Sequence, residues 1–156
     1  MTGARRCIQL TTPYFVPDEP IMQALIVAAM RGVPVDLLLP ASGDQPFVAA
    51  AARSYYPELL AAGVRIHELS SPVLHSKTLL VDDIAIVGTA NMDNRSFRLN
   101  FEVVAVMYDQ RVASYLAEAF AADVAKSKRL DEATLKKDPL RVRLAAAIAR
   151  LFSPML

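Results

Sequence analysis

The chain has 156 residues, of which 54% are apolar, and its formal net charge is +1. A chain of this length can build one domain with a hydrophobic core, and a charge so close to neutral supplies no strong field to attract a nucleic acid. Cys7 is the single cysteine, which excludes a disulfide framework and a thiolate zinc cluster and fits a reducing compartment.

Strands and helices alternate along the first half of the chain. The predicted segments are a strand that runs into a proline-bounded loop at 7–17, a helix at 18–32, a strand at 33–41, a helix at 42–63 and a strand at 64–70. Asp18 is the expected N-cap of the first helix, and Pro57 is expected to bend or break the second. Because parallel strands need helical crossovers, this alternation favours a partly parallel sheet.

Strands follow one another in the second half. The predicted segments are strands at 75–82, 84–91 and 100–109, a polar loop or helical turn at 92–99, and a long amphipathic helix at 110–130. Successive strands can pair as hairpins, so the predicted fold is an α/β sandwich with a mixed central β-sheet. We assign residues 1–130 to this domain and residues 131–156 to a linker and a C-terminal amphipathic helix.

The final helix has an apolar side, made of Leu140, Leu144, Ile148, Leu151 and Phe152. Arg143 and Arg150 lie opposite on the helical wheel. We favour a helix that packs its apolar side on its own sheet, although a helix at a membrane surface would use the same apolar side and the arginines. No apolar run reaches the roughly 18 residues of a membrane span, so we expect no transmembrane segment and, without a signal-peptide pattern, no export.

Polar side chains recur two residues apart in the later strands. Because alternate residues of a strand share a face, His75 and Lys77 are predicted to point the same way, as are Thr89 and Asn91 on the next strand. Glu102 leads the strand after that. If these strands are neighbours, the five groups converge at one end of the sheet.

Such a set suits phosphoryl transfer. A histidine can attack phosphorus or protonate a leaving oxygen, and a lysine supplies a positive charge for a phosphate oxygen. An amide and a hydroxyl add neutral donors, and a carboxylate on the far ring nitrogen fixes the imidazole tautomer. We therefore predict a phosphoryl-transfer site with no metal and no cofactor.

The segments "HSKTLLVD" and "GTAN" resemble the HxKxxxxD…G[ST]xN signature of the phospholipase D superfamily. The segments "TPYFVPDE", "RGVPVDLLLP" and "NRSFRLNFEV" look like the second half of bacterial cardiolipin synthases. The resemblance implies a phospholipase D-like α-β-α sandwich. It also implies that His75 and Lys77 form the catalytic pair, with Asn91 supporting the phosphate.

Further roles follow from the same resemblance. It places Thr89 and Gly88 at the substrate phosphate and gives Glu102 the bond to the histidine. Asp82 belongs to the motif, but its position at a turn favours a structural role. Tyr14 follows the first strand, where it either lines the entrance to the site or packs in the ordinary way.

The spacing of the motif departs from the family in one place. Five residues separate Asp82 from Gly88, where the family usually has six. Because a slip of one residue turns every side chain of a strand to the opposite face, we expect a shorter turn at Asp82 and Asp83 that keeps the later pairing.

The sequence contains one such motif, whereas the family mechanism uses two histidines on opposite sides of the phosphorus. The second motif would come from a partner half or from a second copy of this chain. The leading hypothesis is a phosphatidyltransferase that forms cardiolipin from two phosphatidylglycerols at the cytoplasmic face of the bacterial inner membrane, in peripheral contact with it. The alternatives are a homodimeric phosphodiesterase that uses water, with nucleic acid the less favoured substrate, and an inactive half-enzyme.

Overall fold

A computed structural model describes residues 1–70 and 74–153. The strands are β1 (Ile8–Thr11), β2 (Phe15–Val16), β3 (Val35–Pro40), β4 (Arg65–Leu69), β5 (Thr78–Val81), β6 (Ile84–Gly88), β7 (Met92–Asp93), β8 (Val104–Met107) and β9 (Ser127–Arg129). The helices are α1 (Glu19–Met30), α2 (Pro46–Ala61), α3 (Asn94–Arg98), α4 (Gln110–Val124), α5 (Glu132–Lys136) and α6 (Leu140–Leu151).

A mixed sheet forms the centre of the molecule, in the order β8-β6-β5-β1-β3-β4-β9. β1, β3 and β4 run parallel to one another, whereas β5, β6, β8 and β9 pair antiparallel with their neighbours. β2 and β7 make a small parallel sheet of their own. The predicted mixed central sheet is confirmed.

Helices cover both faces of the parallel strands. On β3, Val35, Leu37 and Leu39 face the main core, whereas Leu38 joins Phe120 of α4 in a smaller cluster on the other face. The main core also contains buried residues of α1 and α2. The α-β-α sandwich is therefore confirmed.

The predicted helix at 110–130 consists of two elements. α4 ends at Val124, and β9 then pairs antiparallel with β4, so that Arg129 lies opposite His67. The Ser127 hydroxyl donates to the Val124 carbonyl at 2.7 Å across the corner. β9 is a short basic edge strand without apolar alternation, and that is why the sequence pattern did not separate it from the helix.

Two other predicted elements can be compared in detail. The strand predicted to run into a proline-bounded loop at 7–17 ends at Thr11, and in the loop before the short strand β2 the Thr12 hydroxyl donates to the Tyr14 carbonyl at 2.8 Å. α2 runs without a break through Pro57. These differences leave the order of the elements unchanged.

α6 packs on α2 with the side that the sequence analysis did not choose. Ala146 and Ala149 are buried, whereas Leu140 is 78% exposed and Leu144 is 58% exposed. The predicted packing of the apolar side on the sheet is therefore wrong. The tail predicted at 131–156 is described as far as Ser153, and residues 154–156 lie outside the described residues. Within the described chain, none of the helices has both the length and the apolar character to cross a bilayer.

Candidate active site

His75 and Lys77 lie immediately before β5 and not inside it, so the strand predicted from residue 75 begins only at Thr78. Thr78 is opposite Thr11, the last residue of β1. Both side chains are therefore carried at the carboxyl edge of the parallel strands, where α/β folds commonly place their sites. His75 is exposed, and Lys77 is half-buried.

The lysine and the histidine contact each other directly. Lys77 Nζ lies 3.0 Å from His75 Nδ1 and donates to the His75 carbonyl at 2.8 Å. Burial lowers the pKa of Lys77 below its ordinary value, while the charges of Glu102 and Asp93 act in the opposite direction. An imidazole can attack phosphorus or exchange a proton with an oxygen, and the neighbouring lysine can bind a phosphate oxygen.

The turn after β5 is the short one that the spacing predicted. Val81 pairs with Ile84 across Asp82 and Asp83, and the register continues to Thr78 opposite Val87. Asp82 adopts a positive φ of 55°, which Asp tolerates better than most residues. The expected compensation for the missing residue is confirmed.

Asp82 holds the start of the chain. Its carboxylate accepts from the backbone N–H groups of Arg6 at 2.7 Å, Cys7 at 3.1 Å and Arg5 at 3.1 Å. Burial would raise the pKa of Asp82, but these three donors lower it below its ordinary value. Because Asp82 follows the far end of β5 from Lys77, these contacts support the structural role.

Thr89 and Glu102 form a second polar group after β6. The Thr89 hydroxyl donates to Glu102 Oε2 and accepts from the Val103 N–H at 3.0 Å. The Asn100 amide donates to Glu102 Oε1 at 3.0 Å. The Thr89 and Asn100 hydrogen bonds keep the pKa of Glu102 below its ordinary value.

The role expected for Glu102 is not visible in these contacts. Between the described parts of Glu102 and His75 the structure contains no hydrogen bond. The charge of Glu102 opposes the lowering of the Lys77 pKa by burial, so Glu102 belongs to the same electrostatic site. Its pairing with the histidine stays a prediction.

Gly88 lies where two strands approach closely. A Cβ at this position would be 2.4 Å from the Val103 carbonyl oxygen and 2.5 Å from Val104 Cγ1. The Gly88 N–H also donates to the Lys77 carbonyl at 3.2 Å. The structure therefore gives this glycine a packing role beside Lys77, and its expected contact with substrate stays a prediction.

Asn91 joins Lys77 at one cavity of about 240 Å³, whose remaining walls are mainly apolar and include Met92 and Phe97. Asn91 Oδ1 is buried without a hydrogen-bond partner among the described residues. A buried amide oxygen without a partner is costly, so this group is available to a donor that enters the cavity.

Tyr14 lines a different, larger cavity of about 420 Å³. Its hydroxyl donates to Asp44 at 2.8 Å and accepts from Gln45 at 3.2 Å. Burial, followed by the hydrogen bond to Asp44, raises the pKa of Tyr14. These contacts favour a fixed wall residue, and an entrance role for Tyr14 stays a prediction.

Some residues that support the site were missed by the sequence analysis. Buried Thr12 accepts from the Met92 N–H at 3.3 Å and so ties β1 to the segment of Asn91. Asp93 caps α3 by accepting from the Ser96 N–H at 2.7 Å. The Asp93 cap was readable as an N-cap pattern, whereas nothing near Thr12 marked its long-range contact. In residues 1–70 and 74–153, no three His, Cys, Asp or Glu side chains are grouped as a metal site would require.

Comparison with known proteins agrees with this geometry. Residues 1–124 match the family model described as "Cardiolipin synthase, PLD-like domain". The chain is 46% identical over its whole length to a cardiolipin synthase of Geobacillus sp. (strain WCH70) and 43% identical to one of Staphylococcus aureus (strain N315). It spans 31% and 32% of those proteins, which is about a third of the length of these relatives.

Solved structures share the fold. Nuc from Salmonella typhimurium, a phospholipase D family member, superposes with a TM-score of 0.73 at 22% identity, covering 84% of this chain and 86% of Nuc. Phosphatidylserine synthase from Haemophilus influenzae gives 0.74 at 15% identity, covering 98% of this chain and 42% of the other. At these identities the likeness establishes the architecture.

Proposed function

Because the chain belongs to the family of cardiolipin synthase, phospholipase D-like domains, we propose that it supplies one half of a phosphatidyltransferase active site. The observation that carries the proposal is the contact of Lys77 Nζ with His75 Nδ1 at 3.0 Å, beside the cavity of Asn91. The substrate would be phosphatidylglycerol, and the products cardiolipin and glycerol. The chain would act at the cytoplasmic face of the bacterial inner membrane.

The reaction needs two imidazoles. One attacks phosphorus and forms a phosphohistidine, while the other gives its proton to the leaving glycerol oxygen. The second imidazole then removes the hydroxyl proton of another phosphatidylglycerol, whose oxygen attacks the phosphohistidine and releases the first imidazole. We give His75 the acid–base role, which the resemblance to a second half favours, and Lys77 and Asn91 the binding of the phosphate oxygens.

An exposed apolar surface beside Glu102 fits the missing half. Phe101 is fully exposed, Val103 is 71% exposed, and Val104 of the edge strand β8 is 50% exposed. Monomeric proteins seldom leave such residues together in water. An unpaired edge strand is also a template for another chain. This surface supports a partner half, or a second copy, that brings its histidine to the same phosphate.

A homodimeric phosphodiesterase is the second candidate. The likeness to 86% of Nuc indicates that this fold can make up nearly a whole chain, and two copies about a two-fold axis would provide two histidines. With water as acceptor, phosphatidylglycerol would give phosphatidic acid and glycerol.

The test is an assay on phosphatidylglycerol vesicles, with light scattering to measure the oligomeric state. The chain is assayed alone and mixed with the part of the Geobacillus cardiolipin synthase that the chain does not cover. Both assays are repeated with the His75→Ala variant of the chain. Cardiolipin formed only by the combination, and lost with His75→Ala, supports the half-site. Phosphatidic acid from a dimer of the chain alone supports the second candidate. A monomer without activity in either assay overturns both proposals, and a requirement for added divalent metal contradicts the mechanism.

A further inference from the structure

An apolar stripe runs along the outside of α6. Its members are exposed to a large extent: Leu140 78%, Leu144 58%, Ile148 46% and Leu151 78%. We call these four residues the α6 stripe. Isolated exposed leucines are ordinary, but four that follow one line along a whole helix form a continuous surface.

The rest of the helix is arranged around this stripe. At 3.6 residues per turn, buried Ala146 and Ala149 fall on the opposite side, against α2. Arg141 lies along one flank of the stripe, and Arg143, about 95° from the centre of the stripe, lies on the other side and not directly opposite it. α6 contains no acidic residue. The helix therefore presents a leucine-rich centre between two basic borders.

Contacts at the end of α6 fix this orientation. The Arg150 guanidinium lies 4.6 Å from the centre of the Tyr55 ring and donates to the Ser54 carbonyl at 3.2 Å. The Asn94 amide donates to the Ser153 carbonyl at 3.0 Å, which joins α6 to the helix that follows Asn91. The stripe is thus held facing outward, with its end anchored beside the candidate site.

We propose that the α6 stripe is the surface by which this domain lies on an anionic lipid bilayer. In such a helix the apolar side enters the boundary between headgroups and acyl chains, and flanking arginines reach lipid phosphates. A second copy paired through the stripe would bring arginine borders together without a carboxylate on α6 to neutralise them. The charge pattern therefore favours lipid as the occupant.

The inference goes beyond the proposed function, because binding requires no turnover. The test is flotation of the full chain with vesicles of phosphatidylglycerol and phosphatidylethanolamine, and with neutral phosphatidylcholine vesicles. Arg141→Gln with Arg143→Gln should lower the partition coefficient on anionic vesicles about 30-fold. Leu144→Gln with Ile148→Gln should lower it at least about tenfold.

Two matched controls accompany these variants. Lys128→Gln with Arg129→Gln makes the same change in charge on β9, and Val27→Gln with Met30→Gln removes exposed apolar side chains of α1. Both should bind like the unchanged chain. Equal binding to neutral vesicles, no flotation of the unchanged chain, or equal losses in the controls overturns the proposal. So does a stripe variant that turns a dimer into a monomer by light scattering, because the occupant would then be a second copy.

Discussion

Asp82 belongs to the sequence motif, yet among the described residues its carboxylate accepts hydrogen bonds from Arg5, Arg6 and Cys7, so it can separate a structural role from a catalytic one. Asp82→Asn keeps an oxygen acceptor and a residue that tolerates a positive φ, but it removes the charge and one of the two oxygens that accept from the Arg5 N–H. Hydrogen bonds to charged groups contribute roughly 1.5–3 kcal/mol each. Discounted for the solvent near this carboxylate, the expected loss of unfolding free energy is about 1.5 kcal/mol.

Thermal unfolding followed by circular dichroism checks the magnitude. For a chain of this size, about 1.5 kcal/mol corresponds to a decrease in Tm of about 3–6 °C. Asp83→Asn is the matched control, since Asp83 occupies the same turn and forms an ion pair with exposed Arg6. Its Tm should change much less. The activity per folded molecule of Asp82→Asn should stay within about twofold of the unchanged enzyme.

The difference in Tm between the unchanged chain and Asp82→Asn should depend on pH. Because the folded pKa of Asp82 is lowered, the ionised carboxylate stabilises the fold above its unfolded pKa of about 3.9. That stabilisation is lost as the pH falls through the folded pKa. The Tm difference should therefore persist from pH 8 to about 5 and close below about 4. A Tm difference that is absent at pH 7, or a large loss of activity at unchanged Tm, would refute the structural assignment.

Three further predictions concern the site itself. Gly88→Ala places a Cβ 2.4 Å from a backbone oxygen, so calorimetry should show that the free energy of unfolding falls by about 1–3 kcal/mol. Gly43→Ala is the control and should leave it nearly unchanged, because the nearest atom to the added Cβ is 3.6 Å away. His75→Ala should reduce turnover on phosphatidylglycerol at least about 100-fold. His67→Gln, which alters the buried 2.9 Å contact between His67 and Asp36, should lower Tm with turnover per folded molecule retained. Activity should fall as the pH rises through the lowered pKa of Lys77, and Lys77→Arg should lack that limb because arginine stays charged; an unchanged pH profile would contradict it.

The architecture could be predicted because each of its elements is specified by residues that are close together in the sequence. Alternation of strands with helices implied parallel strands around β1, and the turn at Asp82 and Asp83 had a spacing that only a short connection could satisfy. The Asp18 cap is present as expected, since its carboxylate accepts from the Ile21 N–H at 3.2 Å. Such features depend on residues close in sequence, which is the information that periodicity carries.

The residues of the site could be predicted, but the contacts between them could not. Alternation predicted His75 and Lys77 on one face of a strand, whereas both precede β5, which begins at Thr78, and they meet in irregular backbone. The family resemblance predicted a hydrogen bond between Glu102 and His75, whereas the structure shows hydrogen bonds from Thr89 and Asn100 to Glu102. These contacts depend on segments that are far apart in sequence and on irregular backbone, and hydrophobic periodicity predicts neither.

The exposure of His75 bears on which of the two candidate reactions the site would carry out, transfer to an alcohol or hydrolysis. Transfer to an alcohol succeeds only where water is kept from taking the place of the acceptor, and an exposed acid–base imidazole such as His75 can activate water as well as an alcohol. A surface that covers Phe101 and Val103 would lie beside Glu102 and could close the site from that side. The same residues would then form cardiolipin when covered and phosphatidic acid when open to water. The ratio of these two products, measured while the partner half is titrated, reports directly on that closure.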